Sequence, residues 1–345
     1  MPTTLAELTT LRLGGPASRL VEATTADDLV DAVRAADAAA EPVLVVGGGS
    51  NLVVGDDGWS GVVVRVASRG VAVTPDGDDV LVAVEAGEPW DDLVARSVAE
   101  GWSGLAAMSG IPGLTGATPV QNVGAYGAEV ADLVETLDVL DRTTGAVETW
   151  PATWVGFGFR TSAFKHTDRY VVVRVTFRLR RGDLAGPVRY LELARRLGVD
   201  QDAAAPSAEV RAAVLALRRG KGMVLDAADL DSWSVGSFFV NPLVTTVGPE
   251  LEGVPQWATG PATKLSAAWL IERSGFHRGY GLDRAYGGGP AGTVGVSTKH
   301  TLALTHRGGG TTAQLLDLAA EIRAGVEARF GVRLGPEAHL AGVTF

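Results

Sequence analysis

Residues 109–127 read SGIPGLTGATPVQNVGAYG and combine glycine, proline, hydroxyl and amide side chains with several apolar ones. The wider stretch Leu105–Gly127 shows little helical or strand periodicity, and a loop of this length inside a compact domain is usually functional or disordered. Its apolar residues argue against disorder. Small residues with neutral donors and acceptors suit a large polar aromatic ligand such as a flavin, whose diphosphate accepts backbone N–H bonds. The alternative is a glycine-rich surface loop, which the apolar content disfavours.

A second glycine-rich turn, GGGSN at residues 47–51, follows the apolar run Pro42–Val46, which predicts a buried strand. Glycine lets backbone N–H groups approach a pyrophosphate closely, because no Cβ stands in the way. The Rossmann fingerprint needs a third glycine where this chain has Leu52, and Leu52–Val54 is strand-like rather than helical. The turn is therefore either a phosphate-binding turn of another kind or simply a tight turn.

The rest of the chain alternates strand and helix patterns, without an internal repeat. Thr25 and Asp28 predict a capping box at the start of a helix. The final helix is predicted to start at Thr311 and to bury one face, made of Leu315, Ala319, Ile322, Val326 and Phe330. Further strands are predicted at Gly61–Val66, Val80–Glu85, Glu135–Leu140, Tyr170–Leu179 and around Thr301–Thr305. Further helices are predicted after Glu85, with Asp91 and Asp92 in the first turn, and at Tyr190–Leu197, Ser207–Arg219 and Leu265–Arg273.

The composition narrows the class of protein. A chain of 345 residues predicts two or three domains. The net charge of −10 argues against a general nucleic-acid binder, although it leaves room for a local basic pocket that binds a small anion. The absence of cysteine excludes disulfides, thiol catalysis and cysteine-ligated metal sites, and it suits a reducing cytoplasm. Residues 1–15 do not resemble a signal peptide, and no apolar run is long enough for a membrane span, so we expect a soluble, intracellular protein.

Six blocks in a fixed order carry a resemblance that covers the chain almost from end to end. They are GGGSN (47–51), IPG (111–113), QNVGAYG (121–127), FGFRTSAFK (157–165), GSFFVNP (236–242) and PE (336–337). In this order the chain resembles the UDP-N-acetylenolpyruvoylglucosamine reductase family, in the form whose tyrosine covers the substrate. The resemblance implies an α+β protein with a two-subdomain FAD-binding unit of the vanillyl-alcohol-oxidase type and a C-terminal α+β substrate domain.

That family assigns a role to each part of the chain. Residues 1–66 and 67–220 would form FAD-binding subdomains 1 and 2, residues 221–330 the substrate-binding domain, and residues 331–345 a C-terminal segment that carries Glu337 to the active site. The resemblance implies a cytoplasmic, monomeric reductase that binds no metal, no membrane and no nucleic acid. It would use non-covalent FAD and NADPH to reduce UDP-N-acetylglucosamine-enolpyruvate to UDP-N-acetylmuramate, a precursor of peptidoglycan.

By that resemblance, Arg160, Ser237 and Glu337 carry the chemistry, and their chemical properties agree with it. Hydride addition to the β-carbon of an enolpyruvyl ether pushes negative charge through the α-carbon into the carboxylate. Arg160 can bind that carboxylate bidentately. Glu337 can stabilise the enolate as a donor if burial keeps it protonated. Ser237 offers a hydroxyl as the proton source for the α-carbon.

The resemblance also implies binding residues. Tyr190, Lys221 and Asn241 match positions that contact the substrate or its uridine diphosphate. The predicted FAD-binding residues are Gly47, Gly48, Gly49, Ser50, Asn51, Ser109, Gly110, Ile111, Pro112, Gly113, Gly116, Thr118, Gln121, Asn122, Gly124, Ala125, Tyr126 and Gly127. Three features depart from the family pattern. The segment Gly222–Val235 is longer and different, Val240 replaces a frequent lysine, and Tyr280–Gly289 looks like an insertion.

Two rival functions remain. A sugar oxidase of the same fold would use oxygen and often tethers its flavin to a histidine. All five histidines lie outside the glycine-rich blocks, which disfavours this function: His166, His277, His300, His306 and His339. The other rival is a catalytically inactive flavin- or nucleotide-binding protein, and the joint presence of Arg160, Ser237 and Glu337 argues against it.

Overall fold

The computed structural model of the chain describes residues 3–345 and divides into two compact units. Unit 1 contains the N-terminal stretch through Ser18, residues Gly49–Trp59 and Gly220–Phe345. Unit 2 contains Arg19–Gly48 and Ser60–Arg219. Two short segments from the first sixty residues therefore fold together with the C-terminal third of the chain.

The described chain contains α-helices separated by runs of consecutive strands. The α-helices are α1 (Ala26–Ala38), α2 (Trp90–Ala99), α3 (Leu191–Leu197), α4 (Ser207–Gly220), α5 (Ala267–Arg273) and α6 (Thr312–Phe330). The strands are β1 (Ala17–Ala23), β2 (Val43–Val46), β3 (Leu52–Val54), β4 (Trp59–Val66), β5 (Val71–Asp76), β6 (Asp79–Glu85), β7 (Trp102–Ser103), β8 (Gly124–Ala125), β9 (Ala128–Glu129), β10 (Val134–Asp141), β11 (Ala146–Pro151), β12 (Tyr170–Arg181), β13 (Leu243–Val244), β14 (Gln256–Thr259), β15 (Ala262–Leu265), β16 (Val294–Val296), β17 (Leu304–His306) and β18 (His339–Ala341).

The largest sheet of unit 2 is antiparallel, in the order β11-β10-β12-β6-β5, with β7 paired to the end of β12. The burial pattern of strand β12 explains why this sheet packs on a core. From Arg174 onward its residues alternate between half-buried and buried, as expected for a strand with one face on a core. Val175, Phe177 and Leu179 point into that core and pack with Trp90 of α2.

The opposite face of β12 carries arginines that pair with carboxylates on neighbouring strands. Arg174 lies directly across from Glu85 and from Asp138, and its guanidinium contacts both carboxylates, at 2.6 Å and 3.2 Å. Cross-strand pairs of opposite charge fix the register of a sheet. Because these side chains are partly exposed, each pair adds only about 0–1 kcal/mol to stability.

A smaller sheet of order β1-β4-β2 packs with helix α1. Strands β2 and β4 run parallel, and the crossover connection between them contains β3. Helix α1 begins at the predicted capping box: the Thr25 hydroxyl accepts from the Asp28 N–H at 3.0 Å, and the Asp28 carboxylate accepts from the Thr25 N–H at 3.0 Å. The buried side of α1 is apolar, with Leu29 and Val33 fully inaccessible.

Unit 1 is built around the last helix. Helix α6 opens with a capping box between Thr311 and Gln314. Its predicted inner face is confirmed, since all five apolar residues predicted to be buried are at least 94% inaccessible: Leu315, Ala319, Ile322, Val326 and Phe330. Strand β3 pairs in parallel with β18, which places residues 52–54 beside residues 339–341.

The segment Tyr280–Gly289, which looks like an insertion, is anchored on helix α6. The hydroxyls of Tyr280 and Tyr286 donate to the two carboxylate oxygens of Glu321, at 2.7 Å and 2.9 Å. Burial and the bond to Glu321 raise the pKa of Tyr280 to about 12, so it stays a protonated donor at neutral pH. The segment therefore stabilises unit 1 by covering part of α6.

The structure confirms the sequence predictions of helices and strands, with small differences at the ends. Tyr190 is the N-cap of α3 rather than its first residue, and Leu265 ends a strand before α5. The strand predicted around Thr301–Thr305 spans Leu304–His306. The α+β class is confirmed. None of the helices within residues 3–345 is both long and apolar enough to cross a membrane.

Candidate active site

Gly48 and Gly113, one from each glycine-rich segment, meet backbone to backbone within unit 2. A Cβ atom built on Gly48 would lie 2.7 Å from Cα of Gly113, closer than real Cβ contacts come. Gly113 also has a φ of +120°, which favours glycine. Gly116 is packed as tightly, since its Cβ would lie 2.8 Å from Cα of Ala86. Glycine is needed at these positions because a side chain would push the segments apart.

A series of hydrogen bonds holds residues 108–116 against residues 86–91. Most of these bonds join backbone groups, and the indole of Trp90 adds one from a side chain. In order along the chain they are Gly116 N–H to Ala86 O (2.9 Å), Thr115 N–H to Glu88 O (2.8 Å), Trp90 N–H to Gly113 O (3.1 Å) and Trp90 Nε1–H to Met108 O (3.0 Å). The loop predicted to bind a flavin is thus fixed on both sides of its Ser109–Pro112 portion.

Asp91 contacts the middle of the same loop. Its Oδ1 accepts from the Gly110 N–H at 2.6 Å, and its two carboxylate oxygens accept from Arg211 of α4, at 2.6 Å and 2.9 Å. Burial raises the pKa of Asp91, but the hydrogen bonds from Arg211 and Gly110 and the charges of Arg211 and Arg218 outweigh it, so the pKa lies below its ordinary value. Asp91 is therefore an ionised acceptor at neutral pH.

Asn122 is buried and uses its side-chain amide inside the protein. Its Nδ2 donates to Glu129 Oε2 at 2.7 Å and to the Gly158 carbonyl at 3.1 Å, and its Oδ1 accepts from the Ala131 N–H at 3.1 Å. Its φ of +44° is a conformation that asparagine tolerates better than most residues. Asn122 thereby joins the QNVGAYG block to the loop that carries Arg160.

Arg160 is held beside the same block. Its guanidinium donates to the Gly124 carbonyl at 2.8 Å and to the Asn122 carbonyl at 3.4 Å. Its backbone is in the left-handed region, with φ of +54°, and Gly158 and Thr161 bond to each other across it. The side chain is half-buried. A cation is therefore fixed at the edge of the predicted flavin-binding segment.

Tyr190 lies against the same segment. Its ring meets the ring of Tyr126 edge to face, with centroids 5.4 Å apart. Next to them, Arg189 Nη1 donates to the Gly127 carbonyl at 3.2 Å. Tyr190 is 47% exposed, so part of the residue is accessible to a ligand.

Two of the predicted flavin-binding hydroxyls are buried and bonded within the loop. Ser109 Oγ donates to the Ala106 carbonyl at 2.7 Å, and Thr118 Oγ1 donates to the Thr115 carbonyl at 2.8 Å. Both hydroxyls close short turns that shape the loop. A direct contact from either one to a cofactor remains a prediction.

Unit 1 brings Ser237 and Glu337 together. The Glu337 N–H donates to the Phe238 carbonyl at 2.8 Å, and the Val240 N–H donates to the Gly335 carbonyl at 3.1 Å. This antiparallel pairing sets the residue after Ser237 beside Glu337 on adjacent backbones. Both side chains are half-buried, while Phe238 is fully buried in the core.

Other predicted residues surround this pair in unit 1. Asn51 Nδ2 donates to the Glu337 carbonyl at 3.4 Å, and the Asn51 carbonyl accepts from the His339 N–H at 2.9 Å. Asn241 Oδ1 accepts from the Ala267 N–H at 2.9 Å, so it caps the start of α5. Lys221 directly follows α4 and is half-buried.

The predicted site residues thus form two groups, one in each unit. Unit 2 holds Gly47, Gly48, the residues from Ser109 to Gly127, Arg160 and Tyr190. Unit 1 holds Gly49, Ser50, Asn51, Lys221, Ser237, Asn241 and Glu337. Sequence reasoning missed Asp91, Arg211 and Glu129 as supports of the loops. Asp91 was interpreted only as a helix-start carboxylate, and no local signal pairs it with a residue 120 positions away.

The residues of unit 2 fit an FAD cofactor on structural grounds. Gly48 and Gly113 let the two backbones meet without side chains between them, so both segments can offer backbone N–H groups to the same diphosphate. Gly110, with φ of +70°, turns the backbone of the loop that contains Gly113. The short side chains and amides of residues 121–127 suit the polar edge of a flavin ring.

Known proteins match the chain in both parts. A family model described as FAD binding domain matches residues 17–150, and one described as UDP-N-acetylenolpyruvoylglucosamine reductase, C-terminal domain, matches residues 228–341. The UDP-N-acetylenolpyruvoylglucosamine reductase of Salinispora arenicola is 56% identical over 96% of this chain and 93% of its own. That of Thermobifida fusca is 50% identical over 99% and 97%.

A solved structure supports the fold. The crystal structure of UDP-N-acetylenolpyruvylglucosamine reductase from Thermus caldophilus aligns with a TM-score of 0.66, at 24% identity, over 99% of this chain and 98% of that one. The predicted combination of an FAD-binding unit with a C-terminal α+β domain is confirmed by these matches.

The tight packing at Gly116 leads to a stability prediction. Gly116→Ala should lower the free energy of unfolding by about 1–3 kcal/mol, because the new methyl group overlaps Ala86. Gly186→Ala is the matched control, since a Cβ there meets nothing within 4 Å, and it should change stability by less than about 0.5 kcal/mol. Urea titrations followed by tryptophan fluorescence measure both. Equal stability of the two variants would contradict the close packing.

Proposed function

Because this chain belongs to the UDP-N-acetylenolpyruvoylglucosamine reductase family, we propose that Arg160, Ser237 and Glu337 carry out its reaction. The protein is an FAD-dependent oxidoreductase. It uses NADPH to reduce UDP-N-acetylglucosamine-enolpyruvate to UDP-N-acetylmuramate, in the synthesis of peptidoglycan precursors. Among the structural observations, the pairing of Phe238 with Glu337 supports the proposed roles most directly, because it places a hydroxyl and a carboxyl group on adjacent backbones.

When bound, FAD would supply hydride chemistry, carrying hydride from NADPH to the β-carbon of the enolpyruvyl group. Donor and acceptor must each reach the same cofactor, so they bind in turn and the kinetics are ping-pong. Glycine residues of the two glycine-rich segments hold the diphosphate, and the QNVGAYG block borders the ring. The contacts of Gly48 with Gly113 support this arrangement.

Arg160 binds the substrate carboxylate. The charge that develops on reduction spreads into this carboxylate, so a fixed guanidinium stabilises the transition state more than the ground state. The bonds from Arg160 to the Gly124 and Asn122 carbonyls support a guanidinium that is oriented before substrate arrives.

Glu337 and Ser237 act on the enolpyruvyl group itself, at the developing enolate and at the α-carbon. Glu337, in its protonated form, donates to the developing enolate, and Ser237 delivers a proton to the α-carbon. A hydroxyl is a weak acid, but the carbanion-like carbon is strongly basic and the geometry is set in advance. The burial of Phe238, next to Ser237, supports a rigid backbone at this position.

Tyr190 covers the substrate diphosphate, and Lys221 and Asn241 contact the substrate or its uridine diphosphate. The exposed half of Tyr190 supports its role as a cover that moves with ligand binding. Residues 1–66 and 67–220 serve FAD binding, residues 221–330 bind the UDP-sugar, and residues 331–345 supply Glu337. We further propose a cytoplasmic monomer that binds neither nucleic acid nor membrane, which the net charge of −10 and the absence of cysteine support.

The cofactor and the reaction class can be tested together. The purified protein should be yellow, lose its colour anaerobically on addition of NADPH, and regain it when UDP-N-acetylglucosamine-enolpyruvate is added. Acid precipitation should release all the colour into the supernatant, because no side chain of the glycine-rich segments is a plausible covalent tether. Colour that stays in the pellet, or that air restores faster than the UDP-sugar does, would favour the oxidase.

Arg160→Lys tests the carboxylate contact. Lysine keeps the positive charge but cannot bind a carboxylate bidentately. The loss of transition-state stabilisation, calculated from kcat/KM for the UDP-sugar, should be on the order of 2–4 kcal/mol. The rate of NADPH oxidation in the first half-reaction should hardly change. Arg65→Lys is the control, because Arg65 is exposed and pairs with Glu22 on the surface. Normal turnover of Arg160→Lys would mean that Arg160 is structural.

Ser237→Ala tests the proton donor. The first half-reaction should be nearly intact, since it needs no proton for the substrate carbon. The second should slow by about 10²–10⁴-fold, as is typical when a general acid is lost. Ser237→Cys should recover part of the rate, because a thiol with a reference pKa of about 8.5 is the stronger acid. Stopped-flow absorbance separates the two steps.

Two other outcomes of that experiment would change the assignment. If alanine slows both half-reactions equally, Ser237 supports the cofactor site rather than the proton transfer. If alanine slows neither, another group or a water molecule delivers the proton.

A further inference from the structure

The loop Ser109–Gly113 is supported by one ionic contact in addition to its backbone bonds. Asp91, in the first turn of α2, accepts the Gly110 N–H, and Arg211 of α4 clamps the same carboxylate through two nitrogens. The Gly110 contact lies between the two points at which Trp90 binds the loop, at Met108 and at Gly113. The carboxylate thus fixes the middle of the loop, Ser109–Pro112, which the two Trp90 contacts do not reach.

The energetics make this contact more than a surface ion pair. Arg211 is only 19% exposed and Asp91 36%, so water competes weakly for their bonds. Gly110 is buried, so its N–H would lose its partner away from bulk water if the carboxylate were removed. Gly110 also has a φ of +70°, which glycine adopts without a steric penalty.

We propose that Asp91 and Arg211 are a positioning pair that holds the Ser109–Gly113 loop in the conformation that receives FAD. The proposal rests on the function proposed above, because it assumes that this loop binds the cofactor. It assigns the pair no contact with FAD or with the substrate. Helix α4 is thereby coupled to the cofactor loop through a single carboxylate.

The alternative is a purely structural role, in which the Asp91–Arg211 pair only joins α4 to α2. The chain offers a matched control for that case in the same unit. Arg142 clamps Asp37 with comparable geometry, its Nη2 2.6 Å from Oδ1, and the two side chains are 17% and 26% exposed. This second pair joins α1 to the end of β10. Removing it tests the loss of a similar ion pair without a cofactor loop attached.

The affinity for FAD distinguishes the two cases. Full-length holoenzyme is diluted in series, and the flavin released at equilibrium is measured from its fluorescence. Asp91→Ala should raise the dissociation constant of FAD by about 10–100-fold, the range expected for a buried N–H that loses its acceptor. Asp37→Ala should change it by less than about threefold, because that ion pair has no cofactor loop attached to it.

A conservative variant guards against misfolding. Asp91→Asn keeps an oxygen for the Gly110 N–H, so it should restore most of the FAD affinity even though the charge pair with Arg211 is lost. Hydrogen exchange at the Gly110 amide should be faster in Asp91→Ala than in wild type, and slow again in Asp91→Asn. A structural role alone would lower the melting temperature of the Asp91 and Asp37 variants alike and leave FAD affinity unchanged.

The outcomes separate this proposal from the proposed function. If wild-type protein binds no FAD, the proposed function fails and the positioning role fails with it. If wild type binds FAD and Asp91→Ala binds it equally well, only the positioning role is overturned. Equal weakening by Asp91→Ala and Asp37→Ala would also overturn it, because the effect would then follow stability.

Discussion

The close contact of residues 86–91 with residues 108–116 is the constraint on which the cofactor side of unit 2 depends. Several hydrogen bonds join the two segments, and a Cβ atom on Gly116 would overlap Ala86, so no side chain fits at that position. The same loop meets Gly48, at the end of the strand-to-turn connection after β2. A loop that binds a diphosphate through its backbone must have its N–H groups fixed in direction, and this contact supplies the fixation.

Much of the fold could be predicted because the signals are local. The capping boxes at Thr25 and Thr311 mark helix starts within four residues, and the inner face of α6 repeats with helical spacing. Strand β12 alternates buried and half-buried residues over much of its length. Such patterns reflect the geometry of one element against one core, so they can be recognised without knowing what packs on the other side.

The remaining features depend on contacts that the order of residues does not reveal. Gly49–Trp59 folds with the C-terminal residues because β3 pairs with β18, across nearly 290 positions of sequence. Arg211 reaches Asp91 across 120 positions. The side chain of Asn122, predicted from its motif to bind the cofactor, makes its hydrogen bonds to Glu129, Gly158 and Ala131. A motif identifies residues that matter, but it does not separate the groups that touch a ligand from those that hold them.

The backbone conformation around Arg160 shows how neighbouring residues hold a side chain that is proposed to contact a ligand. Among residues 3–345, positive φ occurs at few residues other than glycine, and Asn122, Tyr126 and Arg160 are three of them. For a long side chain this conformation costs free energy, on the order of 1–3 kcal/mol, and it persists only where surrounding contacts impose it. The bonds from Asn122 to Gly158 and from Arg160 to Gly124 are such contacts. The position of the guanidinium is therefore determined by the loops before any anion binds, so a carboxylate bound there would require little further ordering of the side chain.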